Sequence, residues 1–381
     1  MINNYTLSDA CFITTGKLDS NAVVEGGIYP FYTCAAEPTT IDYYDYDDSV
    51  VLIAGNNAQG NFHVNRFTGK FNAYQRTYIL TKKEGHDLDY IYYALKLELK
   101  RLKEKSQGSQ TKFLTMPILN SINLGNRNLL EQQKISNVLS SLDSKIELNN
   151  KINKELEAMA KTLYDYWFVQ FDFPDENGKP YKSSGGKMVY SKELKREIPE
   201  GWEVNTLNKM INCLDSKRIP LSKKQRENRR GNIPYYGATS VMDYIDDFIF
   251  DGEYILLAED GSTMDQNGNP ILQYIWNKTW VNNHAHILEA KEQKNLEFIF
   301  HTLKKIAVVK IETGSIQKKL NQENLLNVKI IIPSLHILDQ FSEIVKPIRK
   351  RLINNIEQNQ ELAKLRDWIL PMLMNGQVIV K

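Results

Sequence analysis

The chain has 381 residues, of which 42% are hydrophobic, and this length exceeds that of one ordinary compact domain. Its 48 basic and 46 acidic residues give a net charge of +2, which excludes a strongly charged surface over the whole molecule, so any nucleic-acid-binding surface must be local. The three cysteines form no CxxC pair and argue against a disulfide framework, and no apolar run is long enough to cross a bilayer, so we expect a cytoplasmic protein.

The two halves of the sequence repeat one another in the same order. VVLIA at 50–54 corresponds to YILLA at 254–258, an offset of 204 residues, and LDYIYYAL at 88–95 corresponds to LEFIFHTL at 296–303, an offset of 208. The other pairs are IYPFY (28–32) with IPYY (233–236), YIL (78–80) with HIL (286–288), and GSQTKFL (108–114) with GSIQKKL (314–320). Each copy mixes short β-rich runs, turn clusters and one helix, which predicts two mixed α/β domains at residues 1–127 and 201–334.

A long helical pattern follows each predicted domain. At 129–168 the apolar residues recur at steps of three and four except across Asn149, and the 39 residues from Leu130 to Phe168 predict one helix about 58 Å long. The pattern at 336–376 is similar, and Pro347 should kink that helix or mark a later start. Because a small domain cannot cover such long apolar stripes, we predict that the two helices pack against each other antiparallel. The residues predicted to pair are Ile135, Leu142, Asn149, Leu156, Leu163, Phe341, Ile348, Leu352, Asn355 and Leu362.

The predicted fold is therefore α+β, with two pseudo-symmetric mixed α/β domains separated by two long antiparallel coiled-coil helices. The helices are placed at 128–170 and 335–377, and a linker is placed at 171–200. Asn149 interrupts the first apolar seam, and two readings are open: the side chain faces water, or it is buried and fixes the register of the pair.

Catalytic signatures are absent from the sequence: it contains no phosphate-binding GxxxxGK[ST] loop, no HExxH and no GxSxG. HAH at 284–286 places two imidazoles on one face of a predicted strand, but a third metal ligand is not evident nearby, and hydrogen-bonded histidines are the more common case. We expect no catalysis by the chain alone, and neither a metal nor a cofactor.

Side chains suited to DNA are concentrated in the globular parts. The loop at 55–66 carries amides and an arginine that can read base edges, and its counterpart at 259–270 is more acidic, with carboxylates that can accept from cytosine. Basic clusters at 100–112, 216–230 and 314–319 suit phosphates. Each cluster alone is more typical of a solvated surface, but the two copies carry them at matching places. The candidate DNA-binding residues are Asn56, Asn57, Gln59, Asn61, His63, Arg66, Lys105, Gln107, Ser109, Gln110, Lys112, Lys217, Arg218, Lys223, Lys224, Arg226, Arg229, Ser262, Thr263, Gln266, Ser315, Gln317 and Lys318.

The sequence resembles the specificity subunit of type I restriction-modification enzymes over essentially its whole length. The stretches that carry the resemblance are EQQKISNVLSSLDSKIELNNKINKELEAMAKTLYDYWFVQFDFP (131–174), GKPYKSSGGKMV (178–189), EIPEGWEV (197–204), PSLHILDQ (333–340) and LRDWILPMLMNGQ (365–377). The resemblance implies two target recognition domains, each reading one half of a bipartite, asymmetric site on double-stranded DNA, with the helices setting the gap.

The resemblance also implies protein partners. The helices would dock two modification subunits, which carry the methyl donor and the adenine chemistry, and these would recruit ATP-driven restriction subunits. Two other functions remain open on the residues alone: a duplicated scaffold that binds proteins without DNA specificity, and a stand-alone modification enzyme.

Overall fold

The computed structural model of the chain describes residues 5–58, 60–106, 111–313 and 319–380. The chain divides into two compact units: unit 1 comprises residues 1–151 and 355–381, and unit 2 comprises residues 152–354. Two long helices contribute to both units, so each unit contains one α/β domain together with one section of each helix.

The domain of unit 1 is built on one mixed sheet. Its strands are β1 (Tyr5–Thr6), β2 (Cys11–Thr15), β3 (Tyr29–Tyr32), β4 (Thr39–Ile41), β5 (Tyr46–Ala54), β6 (Asn56–Asn57), β7 (Val64–Ala73), β8 (Thr77–Lys82), β9 (Lys112–Phe113) and β10 (Asn123–Gly125), and its helices are α1 (Leu7–Ala10), α2 (Leu88–Lys105), α3 (Met116–Asn120) and the start of α4 (Leu129–Tyr164). The six-stranded sheet has the order β2-β8-β5-β7-β3-β4, and only its β3–β7 pair is parallel. Asp87 caps the start of helix α2, because its carboxylate accepts from the Tyr90 amide at 2.8 Å, and the buried residues of α2 lie mainly in its first two turns.

The domain of unit 2 repeats this plan with two four-stranded sheets. Its strands are β11 (Met188–Ser191), β12 (Arg196–Pro199), β13 (Glu203–Thr206), β14 (Ile211–Cys213), β15 (Arg230–Tyr236), β16 (Val241–Ile245), β17 (Phe250–Asp251), β18 (Tyr254–Ala258), β19 (Leu272–Ile275), β20 (Lys278–Val281), β21 (Ala285–Ala290), β22 (Glu312–Thr313), β23 (Lys319–Leu320) and β24 (Lys329–Ile332), and its helices are α5 (Lys223–Glu227), α6 (Leu296–Leu303), α7 (Gln322–Leu326) and the start of α8 (Leu335–Met374). The sheet orders are β14-β21-β18-β19 and β16-β15-β20-β17. The long strand β7 of unit 1 therefore corresponds to two shorter strands, β19 and β20.

The strand registers confirm the duplication residue by residue. Val51 of β5 lies opposite Arg66 of β7, and Ile255 of β18 lies opposite Tyr274 of β19. These pairs are related by offsets of 204 and 208, the same values that relate the repeated motifs in the sequence. The predicted fold class, with two related α+β domains and long helices, is confirmed.

Helices α4 and α8 run antiparallel within unit 1. The Asn149 amide donates to the side-chain oxygens of Gln358 and Asn359 at 2.8 and 2.9 Å, and Arg366 donates to Asp143 at 2.7 Å, so position numbers fall on one helix as they rise on the other. The buried positions of the two helices match at an offset of 206. The matching pairs include Ile135 with Phe341, Ser136 with Ser342, Leu139 with Val345, and Asn149 with Asn355.

The predicted helix-pairing residues differ in burial. Ile135, Asn149, Phe341, Leu352 and Asn355 are buried, whereas Leu142, Leu156, Leu163, Ile348 and Leu362 are half-buried. Three further apolar residues of the two helical patterns lie outside the buried helix contact: Met159, Ile344 and Leu365 are 57%, 46% and 44% exposed. Ala160 is buried instead of its neighbour Met159. Heptad spacing could not predict this, because it does not distinguish adjacent apolar positions.

Three further expectations need correction. Helix α4 ends at Tyr164, and residues Asp165–Val169 form a π-helical turn, so the α-helix does not continue to Phe168. Pro347 lies inside α8, which begins at Leu335, so this proline does not mark a late start. Residues 171–200, expected as a linker, contain the β11–β12 hairpin, whose Ile198 is buried in the core of unit 2. Within the described part of the chain, no helix is both long enough and apolar enough to cross a membrane.

Candidate nucleic-acid interface

In unit 1 the predicted amide-rich loop and the predicted basic cluster meet. Strand β6 pairs with β9, which places Asn57 opposite Lys112. Lys103 at the end of α2 donates to the side-chain oxygen of Asn61 at 2.7 Å. Gly60, at a φ of +70°, lies between the two lysines, since a Cβ there would approach the Cγ atoms of Lys103 and Lys112 to 3.2 Å each. We call Asn61, Lys103 and Lys112 the first polar surface.

Other predicted residues of this loop hold its conformation. The Asn56 oxygen accepts from the Cys34 thiol at 2.7 Å, and the Asn57 oxygen accepts from the Asn61 amide at 3.0 Å. His63 is half-buried and Lys105 is exposed. The predicted residues Gln59, Gln107, Ser109 and Gln110 lie outside the described residues.

Arg66 is engaged inside unit 1. Its guanidinium donates to Asp89 at 2.8 Å and lies 5.1 Å from the centre of the Tyr92 ring. It also lies 3.9 Å from Asp143 on α4. Because the Arg66 side chain is only 23% exposed and is paired with carboxylates, we assign it to the packing of the domain on the helices and not to base contacts.

In unit 2 the lysines and arginines of the predicted basic cluster separate into two groups. Lys217, Lys223 and Lys224 are exposed, and the last two lie on the short helix α5. We call these three lysines the second polar surface.

The predicted arginines of unit 2 pair with carboxylates of the same domain. Arg226 donates to Asp243 at 3.2 Å, and Arg229 donates to both Asp246 and Asp247 at 3.0 Å. Arg226 and Arg229 also lie over the rings of Tyr235 and Trp280. These contacts fix α5 on the β15–β16 hairpin and leave the lysines to face solvent.

Arg218 joins a buried network around His286. It donates to Glu259 at 2.7 Å and lies 3.3 Å from Asp215, while His286 contacts Asp215 through Nδ1 at 2.6 Å and the Leu320 carbonyl through Nε2 at 2.9 Å. Burial opposes protonation of His286, but Asp215 and the carbonyl of Leu320 together raise its pKa.

The HAH motif accordingly splits into two separate contacts. His284 precedes β21, is exposed and contacts Asp260 at 2.9 Å, whereas His286 is buried. Cys213, Asp215 and His286 offer ligand atoms within 4.8 Å of one another. Both His286 nitrogens are already engaged and a guanidinium lies beside Asp215, so we assign the cluster to folding and not to a metal.

The loop at 259–270 repeats the arrangement of the first domain. The Leu320 amide donates to the Glu259 carbonyl at 2.9 Å, as the Leu114 amide donates to the Gly55 carbonyl at 2.9 Å, so the strands that carry Lys319 and Lys112 lie beside the two loops. Ser262 and Gln266 are exposed and Thr263 is buried. The predicted residues Ser315, Gln317 and Lys318, and the repeated Gly-Ser pairs, lie outside the described residues.

The structure adds exposed basic residues that were not among the candidates. Lys103 lies beside Asn61, Arg76 lies 5.5 Å from the centre of the Phe113 ring next to β9, and Arg230 is exposed at the start of β15. Lys103 lies in the predicted basic cluster, so it could have been included among the candidates from the sequence alone. Arg76 follows a β-strand in an unremarkable turn, and only the tertiary fold brings it to this surface.

The fold defines a class of protein with two homologous α+β domains, each packed on sections of two long antiparallel helices. The chain matches the family described as "Type I restriction modification DNA specificity domain" over residues 2–158 and 199–364, and it belongs to this family. It is thus a type I restriction-modification specificity subunit with DNA recognition domains.

Individual relatives are similar over much of the chain. The type I restriction enzyme MjaIX specificity subunit of Methanocaldococcus jannaschii is 27% identical over 78% of this chain and 71% of its own length. The EcoDI specificity subunit of Escherichia coli is 29% identical over 56% of this chain and 50% of its own length. The crystal structure of the type I S subunit from M. genitalium has a TM-score of 0.64 at 17% identity, covering 97% of this chain and 95% of that one, and shows the same fold.

Proposed function

We propose that each domain reads one half of a bipartite, asymmetric site on double-stranded DNA and that the helices set the gap between the half-sites. The observation that carries the proposal is the duplication in register, because each domain has a polar loop beside a short strand that carries a lysine, Lys112 in the first domain and Lys319 in the second. Two related but unequal surfaces suit two unequal half-sites.

The proposed contacts use exposed and half-buried side chains. In the first domain Asn61 is suited to a base edge, and the exposed Lys103 and Lys105 and the half-buried Lys112 are suited to phosphates. In the second domain the exposed lysines are Lys217, Lys223 and Lys224, which do not occupy the positions that match those of the first domain. Ser262 and Gln266 complete the second set of candidates for base contacts.

We propose that Asn149 fixes the register of helix α4 against helix α8. It is fully buried and donates to two side chains of α8, and among the described residues its own oxygen has no hydrogen-bond partner. A buried amide in an apolar seam costs stability and penalises shifted registers, which favours one fixed helix pairing.

We further propose that the exposed apolar residues of the helices dock two modification subunits, which supply adenine methylation and recruit ATP-dependent restriction subunits. Leu130, Leu148 and Trp368 of unit 1 are 62%, 50% and 61% exposed, and Met159 and Ile344 of unit 2 are also exposed. Large apolar side chains exposed on a long helix are typical of a surface that is covered in a complex.

The decisive experiment is to co-express the chain with its modification subunit and map adenine methylation in host DNA by single-molecule sequencing. The proposal expects one split motif. Replacing residues 1–127 by the first domain of another family member should change one half of the motif, and inserting seven residues after Asn150 should change only the gap. Loss of both half-sites on exchange of one domain would contradict the assignment of one reader to each half.

A substitution test separates internal arginines from DNA-facing lysines. Lys223→Ala together with Lys224→Ala should weaken DNA binding and reduce its dependence on salt, because each lost phosphate contact removes about one released counterion. Arg226→Lys, on the same helix, should instead affect stability first, because it breaks the contacts with Asp243 and Tyr235.

A further inference from the structure

One carboxylate, that of Asp143, lies at the centre of the contact between the domain and the helices of unit 1, which we call the junction of unit 1. Asp143 accepts from the Tyr93 hydroxyl at 2.6 Å and from Arg366 at 2.7 Å, and Arg66 lies 3.9 Å away. Burial opposes ionisation of Asp143, but the hydrogen bonds from Tyr93 and Arg366 hold its pKa below the usual value. The carboxylate therefore neutralises the arginines that surround it.

Unit 2 holds different groups at the same three positions. Tyr93 of α2 corresponds to His301 of α6 at the offset of 208. At the helix offset of 206, Asp143 corresponds to Arg349, and Ala160 corresponds to Arg366. In unit 2 an arginine therefore takes the position of the aspartate, and an alanine takes the position of the arginine.

A cavity of about 560 Å³ lies where these exchanges occur. Ala160, His301 and Arg349 line it, and it contains five basic side chains against three carboxylates. Glu297 pairs with Arg349, and Asp165, which is not part of the lining, pairs with both Lys161 and Lys305. With Asp165 counted, the five basic side chains are matched by four carboxylates, which leaves an excess of one positive charge.

His301 brings a buried ring nitrogen to this cavity. Its side chain is 6% exposed, and among the described residues its Nε2 has no hydrogen-bond partner. The nearest carboxylate oxygen, on Glu297, is 3.9 Å away and belongs to a group that pairs with Arg349. In unit 1 the equivalent hydroxyl of Tyr93 meets an aspartate.

The charges around His301 keep its ring neutral. Burial, with Lys304 and Arg349, lowers the pKa of His301 to about 3. Burial and neighbouring cations also lower the pKa of Lys304, whose ammonium lies 4.5 Å from the centre of the Phe300 ring. A neutral imidazole can donate one hydrogen bond from Nε2, and a nearby anion would stabilise the charged form of Lys304.

We propose that this cavity binds an oxyanion, a carboxylate or phosphate group of a small molecule, which takes in unit 2 the place that Asp143 has in unit 1. His301 Nε2–H and the Lys304 ammonium are the donors, and the nearby Arg349 guanidinium adds positive charge. Asp265, Asn267 and Asn269 of the loop at 259–270 also line the cavity, so the site adjoins the proposed base-contact loop of the second domain, but its three donors are not among the proposed DNA contacts.

The test is calorimetric titration of the full-length chain with phosphate and, separately, with citrate, at constant ionic strength in chloride. We expect saturable binding of at least one anion, and the tighter of the two identifies the preferred group. His301→Phe and Lys304→Met should each weaken binding about tenfold or more, because each removes a donor to a charged acceptor. Lys304→Met needs no change in the buried core, so it tests the site even if His301→Phe disturbs folding.

The matched control is Lys96→Met in unit 1. Lys96 corresponds to Lys304 and lies 4.9 Å from the centre of the Tyr92 ring, but its junction already contains Asp143. This variant should bind as the unchanged chain does. Non-saturable heats that are equal in all four proteins, or saturable binding that neither His301→Phe nor Lys304→Met weakens, would overturn the proposal.

Discussion

The two domain–helix junctions bury the same kinds of group in exchanged positions. In unit 1, Arg66 comes from strand β7 and pairs with Asp89 of α2. In unit 2 the position of Arg66 is taken by Tyr274, and the guanidinium comes from α8, where Arg349 pairs with Glu297 and lies 4.1 Å from the centre of the Tyr274 ring. Both junctions thus keep an acid on the domain helix, an arginine and an aromatic ring.

The difference shows that the fold preserves a neutralised cation at the junction and not a particular residue. Unit 1 adds a second arginine and balances it with Asp143, whereas unit 2 places a small residue and a histidine there. A duplicated fold can therefore exchange the element that supplies a charge, provided that the buried charges remain paired.

Removing the central acid of unit 1 should have the largest effect. Asp143→Ala leaves two arginines and the Tyr93 hydroxyl without their shared acceptor, and we expect unit 1 to lose about 3–5 kcal/mol of unfolding free energy. Urea unfolding followed by circular dichroism measures this loss. The control is Asp367→Ala, since Asp367 also contacts Arg366 at 2.8 Å but is 66% exposed, and its loss should be below about 1 kcal/mol. Equal losses would show that Asp143 is not the centre of the junction.

The corresponding change in unit 2 should be somewhat smaller. Glu297→Gln removes the charge that balances Arg349, and we expect unit 2 to lose about 2–4 kcal/mol. The loss is moderated because the guanidinium keeps its contacts with the Tyr274 and Phe300 rings. Glu361→Gln, at an exposed pair with Lys364 on the same helix α8, is the comparison and should be nearly neutral. A neutral Glu297→Gln variant would mean that the rings alone hold Arg349.

His301 should give unit 2 a distinctive response to acid. Its pKa in the folded chain is about 3, below the usual value of 6.5, so between these pH values the unfolded chain binds the proton and the folded chain does not. Stability therefore falls as pH falls, by about 2 kcal/mol between pH 7 and pH 5 from this residue. His301→Phe should remove that part of the acid sensitivity in unfolding experiments across this range.

His286 provides the opposite sign within the same unit. Its pKa is raised, so its contribution is fully present below the unfolded value of 6.5 and is lost as pH rises through the folded value. His286→Gln should therefore cost more at pH 5.5 than at pH 8.5. The same pH dependence in the two histidine variants would contradict the assigned environments.

The smallest effect is expected at the polar position of the helix pair. Asn149→Ala leaves the oxygens of Gln358 and Asn359 without their donor and should cost about 1 kcal/mol. Asn137→Ala, at an exposed position of the same helix, should be neutral. Asn149→Leu should stabilise the pair while permitting shifted registers, which cross-linking between cysteines placed at 150 and 359 would detect.

The duplication and the helices could be predicted from the sequence because both are periodic. The offsets between repeated motifs reappear in the strand registers, and Ile135 and Phe341 occupy the buried face that the spacing predicts. Helix ends and proline tolerance could not be predicted. Pro347 is exposed inside α8, and a proline's cost there depends on whether the freed carbonyl can reach water.

The roles of the arginines also lay beyond the sequence. Arg66 stands in an asparagine-rich stretch that is typical of DNA contacts, yet its partner Asp143 comes from a helix that begins more than 60 residues later. Composition identifies a suitable side chain, but only tertiary packing shows whether a carboxylate already pairs with it. The lysines near these arginines, Lys217, Lys223 and Lys224, are exposed, and their contacts with DNA remain predictions.

The discontinuous composition of unit 1 has a consequence for biosynthesis. Unit 2 is a single segment, residues 152–354, whereas unit 1 needs residues 355–381 as well as 1–151. During synthesis unit 2 has all of its residues first, while the first-made domain waits with the apolar face of α4 around Leu139 uncovered until Leu370 and Leu373 emerge from the ribosome. The earliest part of the chain is thus the last to be completed, and until then its uncovered apolar surface favours aggregation.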